Sequence, residues 1–274
     1  MSRIKGSKGN DTVNGTAGND RINAKSGDDV VNAGAGDDKV NAGRGDDVVN
    51  AGEGNDIVKG GRGDDVIDGG AGNDKLYGGR DNDTITGGMG DDKIFGQSGD
   101  DTIILNKDDG NDYVDGGSGK DTVVFNGYSS ADMDIKWSDG HQVMVADRDS
   151  GEADIIKNVE LFEIDGHTYK LLHNHHHHHR HHKDEIDGTK GDDLIIGRSG
   201  GEEIYGGAGS DLIYAGAGDD VIHGDSDAPE HGHHHHHWGH FFWKGWGWGH
   251  KHHCHDNDPE LATYNDIIYG EEGM

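Results

Sequence analysis

Between Gly9 and Gly127 the chain sets an acidic residue every nine positions, with one slip of two residues after Asp101. These acids are Asp11, Asp20, Asp29, Asp38, Asp47, Asp56, Asp65, Asp74, Asp83, Asp92, Asp101, Asp112 and Asp121. Each closes a turn rich in glycine, and neither His nor Cys lies among them. Carboxylates of this kind are hard oxygen donors, which select calcium over zinc or copper. If units eighteen residues apart stack, Asp29, Asp47 and Asp65 fall in one column, about 5 Å apart. Neighbouring charges at that spacing repel by ~0.8 kcal/mol in water and by several kcal/mol at an effective dielectric near 20. Such a column requires cations between its members. Glycine allows backbone carbonyls to turn inward as further ligands.

The elements that position these acids follow from the same period. Two residues after each acid stands an aliphatic: Val13, Ile22, Val31, Val40, Val49, Val58, Ile67, Leu76, Ile85, Ile94, Ile103, Val114 and Val123. Its neighbours are mostly polar or mixed, which predicts a three-residue strand with one side chain inward, followed by a six-residue turn. Gly and Asp return too often for a helix. One unit cannot bury anything alone, so successive units must stack. The fold class expected is all-β: a parallel β-roll, with alternate units on opposite sheets and eighteen residues per coil. Six or so coils would run roughly 30 Å at ~4.8 Å per rung. The core would be a single file of aliphatics per sheet.

The units resemble the RTX (hemolysin-type) nonapeptide repeat, GGxGxDxUx. The resemblance is clearest in Gly60-Gly61-Arg62-Gly63-Asp64-Asp65-Val66-Ile67-Asp68 and in Gly69-Gly70-Ala71-Gly72-Asn73-Asp74-Lys75-Leu76-Tyr77. Gly206-Gly207-Ala208-Gly209-Ser210-Asp211-Leu212-Ile213-Tyr214 repeats it later, and the similarity covers about 160 of 274 residues. It implies a calcium-filled roll in which the thirteen acids above, with Asp193, Asp211 and Asp220, are ligands alongside turn carbonyls. Early units depart from it by reading Ala33-Gly34, Ala42-Gly43 and Ala51-Gly52, and Asp81 and Glu202 depart from it more sharply. The family also implies secretion, typically by the type I route, and folding on extracellular calcium.

Composition bounds the rest. With 50 glycines and a formal charge of −30, the chain has the composition of one that is disordered without calcium. The charge argues against a nucleic-acid partner. The single cysteine, Cys254, excludes an internal disulfide framework. The residues Met1-Ser2-Arg3-Ile4-Lys5-Gly6 carry no apolar leader, and no stretch is long and apolar enough to span a bilayer. An extracellular protein without an N-terminal signal peptide is expected. Its protein or cell-surface partner is not named by the sequence.

Along the chain, 1–127 is read as the first roll and 128–172 as a small antiparallel capping segment. Within that segment Asp134–Trp137 and Gln142–Val145 form one expected hairpin, and Glu160–Ile164 with Thr168–Leu171 another around Asp165-Gly166. Residues 173–186 are a His-rich linker, 187–226 a second roll with Ile195, Ile204, Ile213 and Ile222 inward, 227–257 a His/Trp-rich insertion, and 258–274 a partial repeat. The histidine tracts, including His252-His253-Cys254-His255, offer a route to Zn, Ni or Cu binding. No catalytic motif survives. Gly197-Arg198-Ser199-Gly200-Gly201 lies in a repeat turn, without the strand-turn-helix setting that a nucleophile elbow needs. The function expected is a secreted calcium-binding structural or interaction module, not an enzyme. The alternatives are the C-terminal calcium-binding and secretion module of a larger secreted enzyme or toxin, and transition-metal binding by the His-rich loops.

Overall fold

A computed structural model describes residues 1–138, 142–172, 185–198 and 200–224, with backbone alone at 241–242 and 266–269. They divide into two compact units, Met1–Asp134 with Asp139–His167 and Ile135–Ser138 with Thr168–Met274.

In the first unit the strands are β1 (Ser2–Lys5), β2 (Thr12–Thr16), β3 (Asp20–Asn23), β4 (Val30–Ala35), β5 (Lys39–Arg44), β6 (Val48–Glu53), β7 (Ile57–Arg62), β8 (Val66–Ala71), β9 (Lys75–Arg80), β10 (Thr84–Met89), β11 (Lys93–Ser98), β12 (Thr102–Asn106), β13 (Tyr113–Ser118) and β14 (Thr122–Asn126). Odd and even strands form separate sheets in which each strand pairs with the one two places on. Pairing is parallel and in register at eighteen residues: Val31↔Val49, Val49↔Ile67 and Ile67↔Ile85 on one sheet, Ile22↔Val40, Val40↔Val58 and Val58↔Leu76 on the other. This is the expected parallel β-roll.

All thirteen aliphatics are buried, none more than 5% exposed. Most strands are six residues long instead of three, however, because the small residues continue the ladder. Each rung therefore buries a second position: Ala24, Ala33, Ala42 and Ala51 early, then Gly60, Gly69 and Gly78, and finally the larger Leu105 and Phe125 in β12 and β14. Small residues at these positions let the two sheets close on each other, so the core is two files per sheet.

The two-residue slip is absorbed in the turn at Asn106–Asp109, where Asp108 takes φ 65° and Asp109 is buried with its Oδ2 on the Asn106 N–H at 2.7 Å. Beyond it, β12 and β14 keep register. Parallel stacking also runs past residue 127. After β15 (Met133–Ser138) and β16 (Gln142–Asp147), β17 (Ala153–Lys157) pairs parallel with β13, and β18 (Leu161–Ile164) with β14. Both lie in the segment read as antiparallel, where β16 pairs antiparallel with β17. Asp165 and Gly166 both take positive φ, as a tight hairpin turn requires, while the tip at 139–141 lies outside the described residues.

The second unit holds β19 (His167–Leu171), β20 (Glu185–Asp187), β21 (Asp193–Ile196), β22 (Glu203–Tyr205), β23 (Leu212–Tyr214), β24 (Val221–His223), β25 (Phe241–Phe242) and β26 (Asp266–Tyr269). Here β20, β22 and β24 stack parallel, as do β21 and β23. Ile186, Ile195, Ile204 and Ile213 form its core, with Ile222 and Leu172 partly buried against them. The first rung begins at Glu185, inside the stretch read as linker. β26 pairs parallel with β23.

Candidate metal centre

Each turn of the first roll ends on an aspartate whose backbone enters the next strand, so the strand register fixes where the carboxylate lies. The acids form two files. One runs Asp11, Asp29, Asp47, Asp65, Asp83, Asp101, Asp121 and then Glu160, each backbone N–H donating to the next carboxylate at 2.7 to 2.9 Å. The other runs Asp20, Asp38, Asp56, Asp74, Asp92, Asp112 and then Asp154, at 2.6 to 2.9 Å. In the second unit Asp193 donates likewise to Asp211, and Glu202 to Asp220. Fifteen of the sixteen predicted residues are buried and Asp11 is half-buried.

Those bonds occupy Oδ1. The other oxygen, Oδ2, is buried without a hydrogen-bond partner among the described residues in Asp29, Asp38, Asp47, Asp56, Asp65, Asp74, Asp83, Asp92, Asp101, Asp112 and Asp121. Leaving a buried carboxylate oxygen unmet costs on the order of 1–3 kcal/mol or more. Burial first, and the neighbouring acids after it, push Asp47, Asp92 and Asp121 up to about 6. The same causes take Asp56, Asp65 and Asp74 to about 7, and Asp83 and Asp112 to about 8. A positive charge beside a carboxylate raised this far favours its ionised form.

In front of Asp65, Asp74, Asp83, Asp92, Asp101 and Asp121 the space is built from glycine, whereas Ala24, Ala33, Ala42 and Ala51 hold the matching position in the turns of Asp29, Asp38, Asp47 and Asp56. A Cβ placed on Gly60 would lie 2.3 Å from Asp65 Oδ2 and 2.7 Å from the Gly78 carbonyl oxygen. On Gly69 it would meet Asp74 Oδ2 at 2.5 Å and the Gly87 carbonyl at 2.4 Å; on Gly96, Asp101 Oδ2 at 2.3 Å and the Gly116 carbonyl at 2.5 Å. Carboxylate and carbonyl oxygens thus converge where a side chain would otherwise stand. Among the described residues no three Asp, Glu, His or Cys side chains converge on one point. The donor set is instead one carboxylate with backbone carbonyls, all oxygen, as hard cations prefer. The residues present fit calcium.

With this geometry in view, the profile of the RTX calcium-binding nonapeptide repeat matches residues 3–31, 14–49, 24–58, 41–76, 50–85, 68–103, 108–127, 183–200 and 196–228, more than half of the chain. The chain belongs to that family. RTX repeats are calcium-binding structural units, not catalytic ones. No curated protein matches the chain. Among solved structures the extracellular lipase LipA from Serratia marcescens overlaps at 20% identity and a TM-score of 0.34, covering 56% of this chain and 28% of that one. So weak an overlap says nothing of this chain's activity.

Two parts of the site escaped the sequence. Asp154 and Glu160 extend the files although the nine-residue spacing lapses before them, with Gly151 alone in the turn before Asp154 and no glycine in the turn before Glu160; the surviving signal is an acid two residues before a buried apolar residue, Asp154 before Ile156 and Glu160 before Phe162. The other is the residue just before each filed acid. Its side-chain oxygen accepts from the backbone N–H one coil later: Asn10 from Asp28, Asp28 from Asp46, Asp46 from Asp64, Asp64 from Asn82, Asn82 from Asp100 and Asp100 from Lys120, at 2.8 to 3.1 Å. A second outer ladder links Asp37, Asn55, Asn73, Asp91 and Asn111. Inner and outer ladders run in opposite directions, so every turn is tied to both neighbours. Of the departures, Glu202 takes the aspartate's place and reaches back to the Arg198 N–H at 3.2 Å, and Asp81 supplies φ 76° without glycine. The tracts at 173–182, and Cys254 with its flanking histidines, lie outside the described residues.

Proposed function

We propose that this chain is a secreted module whose roll folds when extracellular calcium enters the interior turns, and that it serves as a structural or interaction element. The two files of partnerless buried carboxylate oxygens carry this reading. Asp29 through Asp121 and Asp211 are assigned as ligands with the carbonyls of their turns, and each bound ion would supply the positive charge that keeps its carboxylate ionised. Extracellular sites of this sort work at ~10⁻⁴–10⁻³ M calcium, so the chain would remain unfolded inside the cell and fold after export. Among the described residues no helix is long and apolar enough to cross a membrane.

Circular dichroism in a calcium titration tests the proposal, with zinc run in parallel. The expected outcome is coil in chelator and β structure at millimolar calcium, with zinc unable to substitute. A spectrum indifferent to chelator sinks it.

A further inference from the structure

The two outer faces of the first roll differ sharply in charge. Outward positions of the odd sheet carry Arg3, Arg21, Lys39, Lys75 and Lys93, all exposed, in one file broken only by Ile57. Lys5 and Lys59 stand in the adjacent file, and no acid occupies either file until Asp115, which Lys157 neutralises at 2.9 Å. Arg44, Arg62 and Arg80 stack in register at one end of the same strands. None of these ten cations forms an ion pair among the described residues. The matching positions of the even sheet hold Thr12, Val30, Val48, Val66, Thr84 and Thr102, without a single cation. In a chain of net charge −30, ten of the fourteen Lys and Arg of residues 1–127 are gathered on one surface.

That surface also carries aromatics. Tyr77 and Phe95 stack at 5.0 Å and Phe95 meets Tyr113 at 6.0 Å, all half-exposed, while the Lys59 ammonium lies 5.8 Å from the Tyr77 ring centre. At its N-terminal end a shallow trough of about 610 Å³ is lined by Arg3, Lys5, Arg21, Lys39 and Lys59.

We infer that the odd-sheet face is a docking surface for a linear acidic polysaccharide. Cations recur along the roll at multiples of the ~4.8 Å rung spacing. A polymer with one carboxylate or sulfate on each sugar ring spaces its charges comparably and lies along the files. The rings of Tyr77 and Phe95 give sugar faces a flat apolar platform. Duplex DNA fits worse. It carries a charge every ~1.7 Å, and the exposed outer ladders (Asp28, Asp46, Asp64 and Asp100 on one edge, Asp37 and Asp91 on the other) flank the face with like charge. The inference needs the roll fold but not the assignment of calcium to particular turns.

The full chain, folded in calcium, would be titrated with polygalacturonate, dextran sulfate, neutral dextran and duplex DNA by calorimetry at several salt concentrations. Binding to polygalacturonate or dextran sulfate, weakening with salt and absent for neutral dextran, is the expected result; the two anions separate a carboxylate from a sulfate preference. The combined R21Q/K39Q/K75Q/K93Q variant should weaken that binding roughly tenfold or more with its calcium-folding midpoint unchanged. Tyr77→Ala with Phe95→Ala should weaken it severalfold without altering the salt dependence. Three results overturn the inference: tighter binding of DNA, no binding of either acidic polymer, or binding untouched by the four-site variant, which would place the polymer on the acidic edges through calcium. A four-site variant that fails to fold leaves the aromatic pair and the salt dependence to decide.

Discussion

The turns Gly15-Thr16-Ala17-Gly18-Asn19-Asp20 and Gly60-Gly61-Arg62-Gly63-Asp64-Asp65 are spelled almost alike, yet their carboxylates end in opposite states. In the first, Asp20 Oδ2 accepts from the Thr16 N–H at 2.7 Å and from its hydroxyl at 2.8 Å. In the second, Asp65 Oδ2 is buried with nothing to accept from. Thr189 and Asp193 repeat the first arrangement at the start of the second roll, and the Ser7 N–H donates to Asp11 at the start of the first. The second residue of the turn decides the outcome. Gly61 takes φ 132°, which threonine avoids, whereas Thr16 keeps ordinary backbone and aims its N–H into the turn. Ser or Thr opens a roll with a turn complete in itself; a residue at positive φ, usually Gly but Lys25 and Gln97 in two turns, continues it with a turn that needs a cation.

The largest effect should come from forcing one kind of turn into the other. Gly61→Thr would set a Cβ 2.2 Å from the Gly43 carbonyl oxygen at a φ unsuited to side chains. The expected loss is about 3 kcal/mol or more, read as a fall in thermal midpoint at saturating calcium. An unshifted midpoint would break the comparison.

Next in size, Asp65→Ala with Asp83→Ala should raise the calcium concentration needed for folding severalfold. Asp20→Ala should leave that midpoint in place and cost about 1 kcal/mol, as losing a capping side chain does. Equal shifts from the two would erase the distinction.

Dependence on pH separates the turns by sign. Interior carboxylates sit at about 6 to 8 in the folded chain against ~3.9 unfolded, so the metal-free fold holds more protons than the coil. Its stability is therefore greatest below pH ~4 and is lost as the pH rises through 6 to 8. Asp20 goes the other way: burial alone would raise it, but hydrogen bonds from Thr16 and Ser2 outweigh that and lower it. Its contribution is present above pH ~4 and lost only in acid. Chelated protein should thus gain β signal on going from pH 8 to pH 5, and calcium uptake at pH 7 should release protons. A chelated chain equally unfolded at both values contradicts this.

The smallest effect is the reverse conversion. Thr16→Gly removes the hydroxyl that donates to Asp20 and lets the residue-16 N–H turn away from it, so about 1–2 kcal/mol of stability should go, and calcium should recover most of it. Loss without recovery would show that Thr16 does more than satisfy its turn.

What the sequence disclosed and what it hid follow one rule. Val13 through Val123 were legible because theirs is the position that holds Val, Ile or Leu in every unit, whereas the residue before it is apolar only in some, as at Val30, Val48 and Val66. The filed acids were legible for the same reason. How their charge is handled was not: adjacent carboxylates meet through N–H donors, as Asp47 N–H does on Asp65 at 2.9 Å, instead of by metal alone. A backbone donor leaves no mark in the residue pattern. The rungs at Asp154 and Glu160 were hidden because they stand 42 and 39 residues from the acids they stack on instead of eighteen, so the period fails where the register persists. Charge segregation was missed because net charge averages over faces that alternate unit by unit.

Crystals of the chain grown in calcium, with anomalous scattering used to place the ions, would test the central claim most directly. Peaks are predicted beside Oδ2 of Asp65, Asp74 and Asp83, within coordination distance of the carbonyls of Gly78 and Gly87, and none at the Thr16 turn. An ordered roll whose interior turns hold no ion would contradict the account.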